Sequence, residues 1–317
     1  MKLALAGDTM LGREVGAALS DRPPESLVSD EVVEVVREAD LLVLNLECCI
    51  SERGSPWPDP RKPFHFRAPP AAVETLVHLG VDCVTLANNH ALDFGPEALL
   101  DTLAHLEAAG IAWTGAGPDL EAARAPALLE AGGMSVAVLG VTDHPADFAA
   151  GPDSAGVAYA DLLSEVPRCL LDTIAAQGAD VVLVTPHWGP NMTASPVRHV
   201  LAAAPKLLDA GATLVAGHSA HVFQAVQGRV LFDLGDFLDD YAVDRRLRND
   251  LGLLFLVDFE HGRLEAVPLA LDYCHTRLAT GDEAEWITRR FESACAALGT
   301  AVRGEARRLV IDLAPAR

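Results

Sequence analysis

The stretch Val181-Val182-Leu183-Val184-Thr185-Pro186-His187-Trp188-Gly189 decides how the chain folds. Its apolar, mostly β-branched run reads as a buried strand. Pro186 is expected to stop that strand and deliver His187 into a loop at the rim of a sheet. In open α/β sheets the binding groups gather just outside the carboxyl ends of the strands. The same arrangement recurs along the chain. Residues 3–7 lead to Asp8, 41–46 to Glu47, 81–86 to Asn89 and His90, 135–141 to Asp143 and His144, and 213–217 to His218 and His221.

Helical periodicity fills the intervals, with helices expected over 10–38, 71–80, 96–109, 160–178 and 196–209. Residues 51–70, rich in proline, glycine and charge, read as a long ordered loop, and such loops in compact domains are usually functional. Beyond His221 the pattern changes. Residues 223–232 and 253–271 read as antiparallel strands, with turns at Gly228 and His261-Gly262, followed by a helix over 283–298 and a strand over 309–313. Alternating strands and helices with a β-rich end imply two packed sheets covered by helices. With no linker and no internal repeat, 1–317 is expected to form a single domain, with its motifs in 3–240 and a β-rich C-terminal part, 223–317.

The chain has 317 residues, half of them apolar, enough for a large core. A formal charge of −21 excludes a nucleic-acid binder, which needs a basic face, and an acidic substrate would need metal ions or a local cationic cluster. Six cysteines without a CxxC pair make neither a zinc ribbon nor a disulfide framework. Met1-Lys2 runs straight into the first strand, unlike a signal peptide, and no apolar run approaches the ~20 residues that span a bilayer. The expectation is a soluble, cytoplasmic protein with no membrane anchor.

Asp8, Glu47, Asn89, His187, His218 and His221 combine carboxylates, imidazoles and an amide oxygen without a thiolate. That set suits Mn, Fe or Zn. Each residue alone also fits a plainer role: Asp8 as a helix cap, Glu47 in a salt bridge, Asn89 as a cap, and His187 or His218 as a satisfied core histidine. Their joint placement at strand ends points to a site instead. The donors are too many for one ion and match two divalent ions sharing a bridging carboxylate, about 3.5–4 Å apart, which together activate a water. His78, His105 and His199 lie in helical patterns and read as surface groups. There is no Walker A sequence and no HExxH, and Gly217-His218-Ser219-Ala220-His221 ends in histidine where a nucleophile elbow needs glycine.

Taken in order, Gly7-Asp8-Thr9-Met10-Leu11-Gly12-Arg13, Asn45-Leu46-Glu47, Asn88-Asn89-His90-Ala91-Leu92-Asp93-Phe94-Gly95, His187-Trp188-Gly189, Gly217-His218-Ser219-Ala220-His221 and Leu234-Gly235-Asp236-Phe237 form a recognisable series. It resembles the bacterial capsule-synthesis (CapA, poly-γ-glutamate biosynthesis) family, a branch of the calcineurin-like metallophosphoesterase superfamily. The resemblance implies an α/β fold, a four-layer α/β/β/α sandwich (metallo-dependent phosphatase-like) around a dinuclear centre. Carried over by motif, Asp8 and His221 hold one ion, Asn89, His187 and His218 the other, and Glu47 bridges. His90 matches the catalytic general acid.

Three positions depart from the superfamily pattern. Met10 stands where a histidine is usual, Asn191 where an acid often follows His-Trp-Gly, and Asp236 where Gly-Asn-Phe has asparagine. Arg13, Arg67 and Trp188 are expected to contact substrate, with Asp143 and His144 as further acid–base candidates and 62–67 as a lid. The implied activity is a metal-dependent hydrolase whose metal-activated hydroxide attacks a peptide or γ-glutamyl amide or a phosphoester. The same metals would serve a peptide epimerase of natural-product biosynthesis, which removes an α-proton. A non-catalytic part in poly-γ-glutamate capsule assembly is the third expectation. The expected partner is thus a small-molecule, peptide or γ-glutamyl substrate.

Overall fold

Alternation along the strand Lys2–Thr9 sends Leu3 and Leu5 to one face and Ala4 and Ala6 to the other, and each pair enters a different core. A strand buried on both sides belongs in the middle of a layered molecule. The computed structural model describes residues 1–313 and places it there. It lies in a ten-stranded sheet with principal order Arg303–Glu305, Arg308–Asp312, Arg263–Asp272, Leu251–Asp258, Lys2–Thr9, Leu41–Leu46, Cys83–Thr85, Ala112–Thr114. A second, six-stranded sheet runs Val226–Gln227, Val230–Leu231, Leu214–Ala216, Val181–His187, Met134–Thr142, Ala127–Ala131.

One core joins Leu3, Leu5 and Val43 of the first sheet to Val138, Val181 and Leu183 of the second, and to Ile174, Val200 and Leu207 on outer helices. The other joins Ala4, Leu42, Leu44 and Val84 to Val32, Val33, Leu76, Leu99 and Leu103 on the helices Asp30–Val36, Ala72–Leu79 and Gly95–Ala108. The layers therefore read helix, sheet, sheet, helix, the expected α/β/β/α sandwich. The β-rich end is shared: Val226–Gln227 and Val230–Leu231 complete the second sheet, and the strands from Leu251–Asp258, antiparallel to Lys2–Thr9, extend the first. The helix Gly281–Ala297 opens on a Thr280/Glu283 capping box and buries Ile287, Phe291 and Cys295. Among the described residues, no helix is long and apolar enough to cross a membrane.

Several boundaries differ from the sequence reading. The helix expected over 10–38 is broken into Arg13–Ala18, a 3-10 turn Pro24–Leu27, and Asp30–Val36. Pro23 and Pro24 lack the amide donors that a continuous helix needs. Only Arg168–Ala175 of 160–178 is helical, starting right after Pro167. The strand Ala127–Ala131 was not expected; it forms a hairpin with Met134–Thr142 through Gly132-Gly133, both at positive φ.

Pro186 does not stop its strand, which runs Val181–His187. The Pro186 carbonyl accepts from His218 N at 2.9 Å. Because both backbone groups of a strand residue face the same neighbour, its missing N–H falls beside Leu214–Ala216, which has already ended. His187 thus stays in register with Thr142 on one side and bridges to His218 on the other.

Two glycines allow these strand ends to crowd together. A Cβ on Gly7 would lie 1.9 Å from the Gly235 carbonyl oxygen, and one on Gly217 2.2 Å from that of Phe232.

Candidate metal centre

Lys2–Thr9 pairs in parallel with two strands, setting Asp8 opposite Asn45 on one side and Asp236 on the other. Asp8, Glu47, His221 and Asp236 each present a donor atom within 4.8 Å of the others, and all four are buried. Asp8 Oδ1 accepts from Asn45 Nδ2 at 2.8 Å and lies 3.0 Å from His218 Nδ1, while Oδ2 lies 3.5 Å from His221 Nδ1. Glu47 Oε2 accepts from the Tyr241 hydroxyl at 3.2 Å and is 3.8 Å from His221 Nδ1; Oε1 is 3.9 Å from His187 Nε2. His221 Nδ1 is 2.8 Å from Asp236 Oδ1. His221 holds φ at 57°, in the left-handed region that only a few per cent of non-glycine residues adopt. Asn88 braces the floor, donating to Asn45 Oδ1 at 2.9 Å and to the Leu46 carbonyl at 2.8 Å.

Buried polar atoms are almost always paired. Here Glu47 Oε1, Asp236 Oδ2, His187 Nε2 and Asn89 Oδ1 are buried with no hydrogen-bond partner. The charges are also out of balance. Burial, reinforced by Asp8, pushes Glu47 well above the usual carboxylate range. Burial does the same to Asp236, aided by Asp239 and Asp8, and to Asp233. Asp239 is raised to about 6, mainly by burial. Asp8 is the exception: burial works against its charge, but the hydrogen bond and charge of His218 outweigh it and hold the group low. Burial keeps His187 neutral, the form in which imidazole ligates a metal. Orphaned carboxylate oxygens and a free imidazole nitrogen around a deficit of positive charge are what a divalent cation supplies, so the donor set fits a metal ion. Met10 takes no part. It is fully buried and its Sδ accepts from Gly12 N at 3.1 Å.

His90 stands beside this cluster. Its Nδ1 lies 2.6 Å from Asp93 Oδ2, and its ring stacks on Phe66 with centroids 4.0 Å apart. Burial lowers His90 to about 4, although Asp93 pulls the other way. Asp93 also accepts from Phe66 N at 2.6 Å and pairs with Lys62 Nζ at 2.8 Å. Lys62 Nζ in turn donates to the Asn89 carbonyl at 2.7 Å. The segment 62–67 is therefore tied directly to Asn89, His90 and Asp93.

The other anticipated residues are placed unevenly. Arg13 pairs with Asp240 at 2.9 Å, and its guanidinium sits 5.4 Å from the Phe66 centroid and 5.9 Å from that of Tyr241. Arg67 donates to the Arg53 carbonyl at 3.1 Å and stacks 4.1 Å over Phe94. Trp188 is 2% exposed, and its indole N–H donates to the Phe232 carbonyl at 3.0 Å, so the side chain packs in the core instead of reaching towards a substrate. Asp143 pairs with His144 Nδ1 and with His199 Nε2 at 3.1 Å, and accepts from Gly189 N at 3.1 Å. The His144 ring lies 5.4 Å from that of His187. His199 is consequently no surface bystander, and His78 has a buried Nε2. Sequence reasoning missed Asn45, Asp93 and Tyr241, and noticed Asp236 only as a departure. Asp93 did carry a signal, its i,i+3 spacing from His90 across a turn.

The sequence profile of the Bacterial capsule synthesis protein PGA_cap family matches residues 2–241, which include every residue of the cluster. The chain belongs to the PGA_cap family. Among its relatives, a probable polyglutamine synthesis accessory protein of Mycobacterium tuberculosis is 34% identical over 276 residues, 80% of this chain and 72% of that protein. The PGA biosynthesis protein CapA of Bacillus subtilis is 28% identical over 277 residues, covering 85% and 71%. The capsule biosynthesis protein CapA of Bacillus anthracis is 29% identical over 280 residues, covering 85% and 67%. A crystal structure of a hypothetical protein from Thermus thermophilus aligns with a TM-score of 0.44 at 20% identity, over 87% of this PGA_cap chain and 96% of that one.

Proposed function

We propose that this PGA_cap protein is a metal-dependent hydrolase of capsule or poly-γ-glutamate biosynthesis, acting on a peptide or γ-glutamyl amide or a phosphoester. The names of its CapA relatives support the biosynthetic setting. The observation that carries the chemistry is the set of buried acceptors without partners, Glu47 Oε1, Asn89 Oδ1 and His187 Nε2, which lie at or beyond the ends of strands of both sheets, the first and last 3.9 Å apart. In this reading Asp8 and His221 would hold one ion, Asn89, His187 and His218 would hold a second, and Glu47 would serve both. Two such ions, Mn, Fe or Zn, polarise a scissile carbonyl or phosphoryl group and acidify water when bound.

The chain's own residues do the rest. Asp93 holds His90 by Nδ1, which leaves the neutral ring's Nε2 to take up a proton as water attacks and then hand that proton to the leaving group. Phe66 covers one face of that ring and keeps water off it. Arg13, with its side chain 35% exposed, offers a guanidinium to a substrate carboxylate or phosphate. His144, held by Asp143, stands on the other side beside His187 as a second group able to exchange a proton.

The test is incubation of the metal-loaded protein with γ-glutamyl peptides, α-peptides and phosphodiesters in D₂O. Cleaved amide or released phosphate supports hydrolysis. Deuterium at an intact α-carbon would assign the site to epimerisation instead, and absence of any turnover would leave a binding role in capsule assembly. Full metal content in both Asp8→Ala and His187→Ala would sink the metal centre itself.

A further inference from the structure

We propose that Asp236 is itself a metal ligand, completing with Asp8, Glu47 and His221 an oxygen-rich half of the centre that favours a hard ion such as Mn²⁺ over Zn²⁺. The inference rests on the metal-centre reading above and adds a ligand and a selectivity to it.

The sheet pairing comes first. Asp236 opens a strand parallel to Lys2–Thr9 and lies opposite Asp8, so the two side chains emerge as neighbours. They are 2% and 1% exposed. Two carboxylates set side by side out of water repel unless one holds a proton or a cation comes between them.

An aspartate at position 236 does something that an asparagine would not. Asp236 Oδ1 faces His221 Nδ1 at 2.8 Å, a bond that an amide oxygen makes equally well without burying a charge. What the carboxylate adds is Oδ2, buried with no N–H or hydroxyl donor and with a second acid, Asp239, beside the group. An orienting residue has no use for that second oxygen; a ligand does.

Asp8, Glu47, Asp236 and His221 bring three carboxylates and one imidazole within 4.8 Å of one another. In the second site proposed above, His187 and His218 would offer two imidazoles beside one amide oxygen from Asn89. Carboxylate oxygens suit Mn²⁺ and imidazole nitrogens suit Zn²⁺. The two halves are therefore unequal, and Asp236 makes them so.

The experiment titrates metal-stripped wild type, Asp236→Asn and His187→Ala separately with Mn²⁺ and Zn²⁺, reading stoichiometry, affinity and the metal-free melting temperature. Wild type should take two ions. Asp236→Asn should weaken Mn²⁺ at one of them at least tenfold and Zn²⁺ by less, with the metal-free melting temperature unchanged or raised. His187→Ala should weaken the other ion, with Zn²⁺ the more affected. If Asp236→Asn binds two Mn²⁺ as tightly as wild type, or merely melts lower without metal, Asp236 is a structural residue and the inference is wrong. If wild type takes up neither metal, the underlying reading falls, and this one with it.

Discussion

Burial holds the His90 imidazole down to about 4 while Asp93 pulls it up, and the balance has a measurable sign. An unfolded chain takes up a proton at histidine near its ordinary value of about 6.5, and the folded chain refuses it until about 4. Stability is therefore lost as pH falls through that window, by about 3 kcal/mol for a shift of this size. In metal-free His90→Asn this contribution should vanish, so urea midpoints at pH 6.5 and pH 4 should differ less than in wild type. An equal difference would mean that His90 is not held neutral by its surroundings. With metal bound, the same variant should lose about 10²–10⁴-fold in activity while keeping its metal, since only the proton donor has been removed.

At the scale of elements, Lys62 fastens the 51–66 loop to the site. Its side chain is 13% exposed, and its ammonium reaches both Asp93 and the Asn89 carbonyl. Deleting one partner of a buried pair strands the other, at about 3–5 kcal/mol. Lys62→Met should approach that loss in denaturant unfolding and speed amide exchange over residues 57–66. Unchanged exchange there would show that Phe66 and Trp57, whose amides donate to Asp93 Oδ2 and to the Asp93 carbonyl, hold the loop unaided. The strands were legible in the sequence because runs such as 181–184 and 41–44 are continuous, apolar and short. Their ends were less so. Pro186 reads as a stop, and only the early end of the neighbouring strand makes it harmless. Residues 160–167 look helical locally, yet Pro167 sets the start of that helix.

Across the whole molecule, the site was legible wherever a chemically distinctive residue closes an apolar run: Asp8, Glu47, His187 and His218. Asp236 was not, because it precedes its short strand's apolar residues, and only pairing with Asp8 gives it meaning. His199 and Trp188 were misjudged for the same reason, since their partners Asp143 and Phe232 lie 56 and 44 residues away. We also propose that the chain unfolds as one unit, because Leu3 and Leu313 belong to the same core. Denaturation followed by tryptophan fluorescence and by circular dichroism should coincide, and metal at about 100 times its dissociation constant should add about 2.7 kcal/mol per occupied site. Two separated transitions would divide the chain.

The raised carboxyls have one more consequence. Burial pushes Glu47 and Asp236 well above the ordinary carboxylate range and Asp239 up to about 6, so these acids hold protons more firmly than exposed ones do. A metal ion binds their ionised forms and competes with those protons, which makes the site a proton–metal exchanger. Calorimetric binding heats should then depend on the ionisation heat of the buffer, and mild acid should unload the metal before it unfolds the chain.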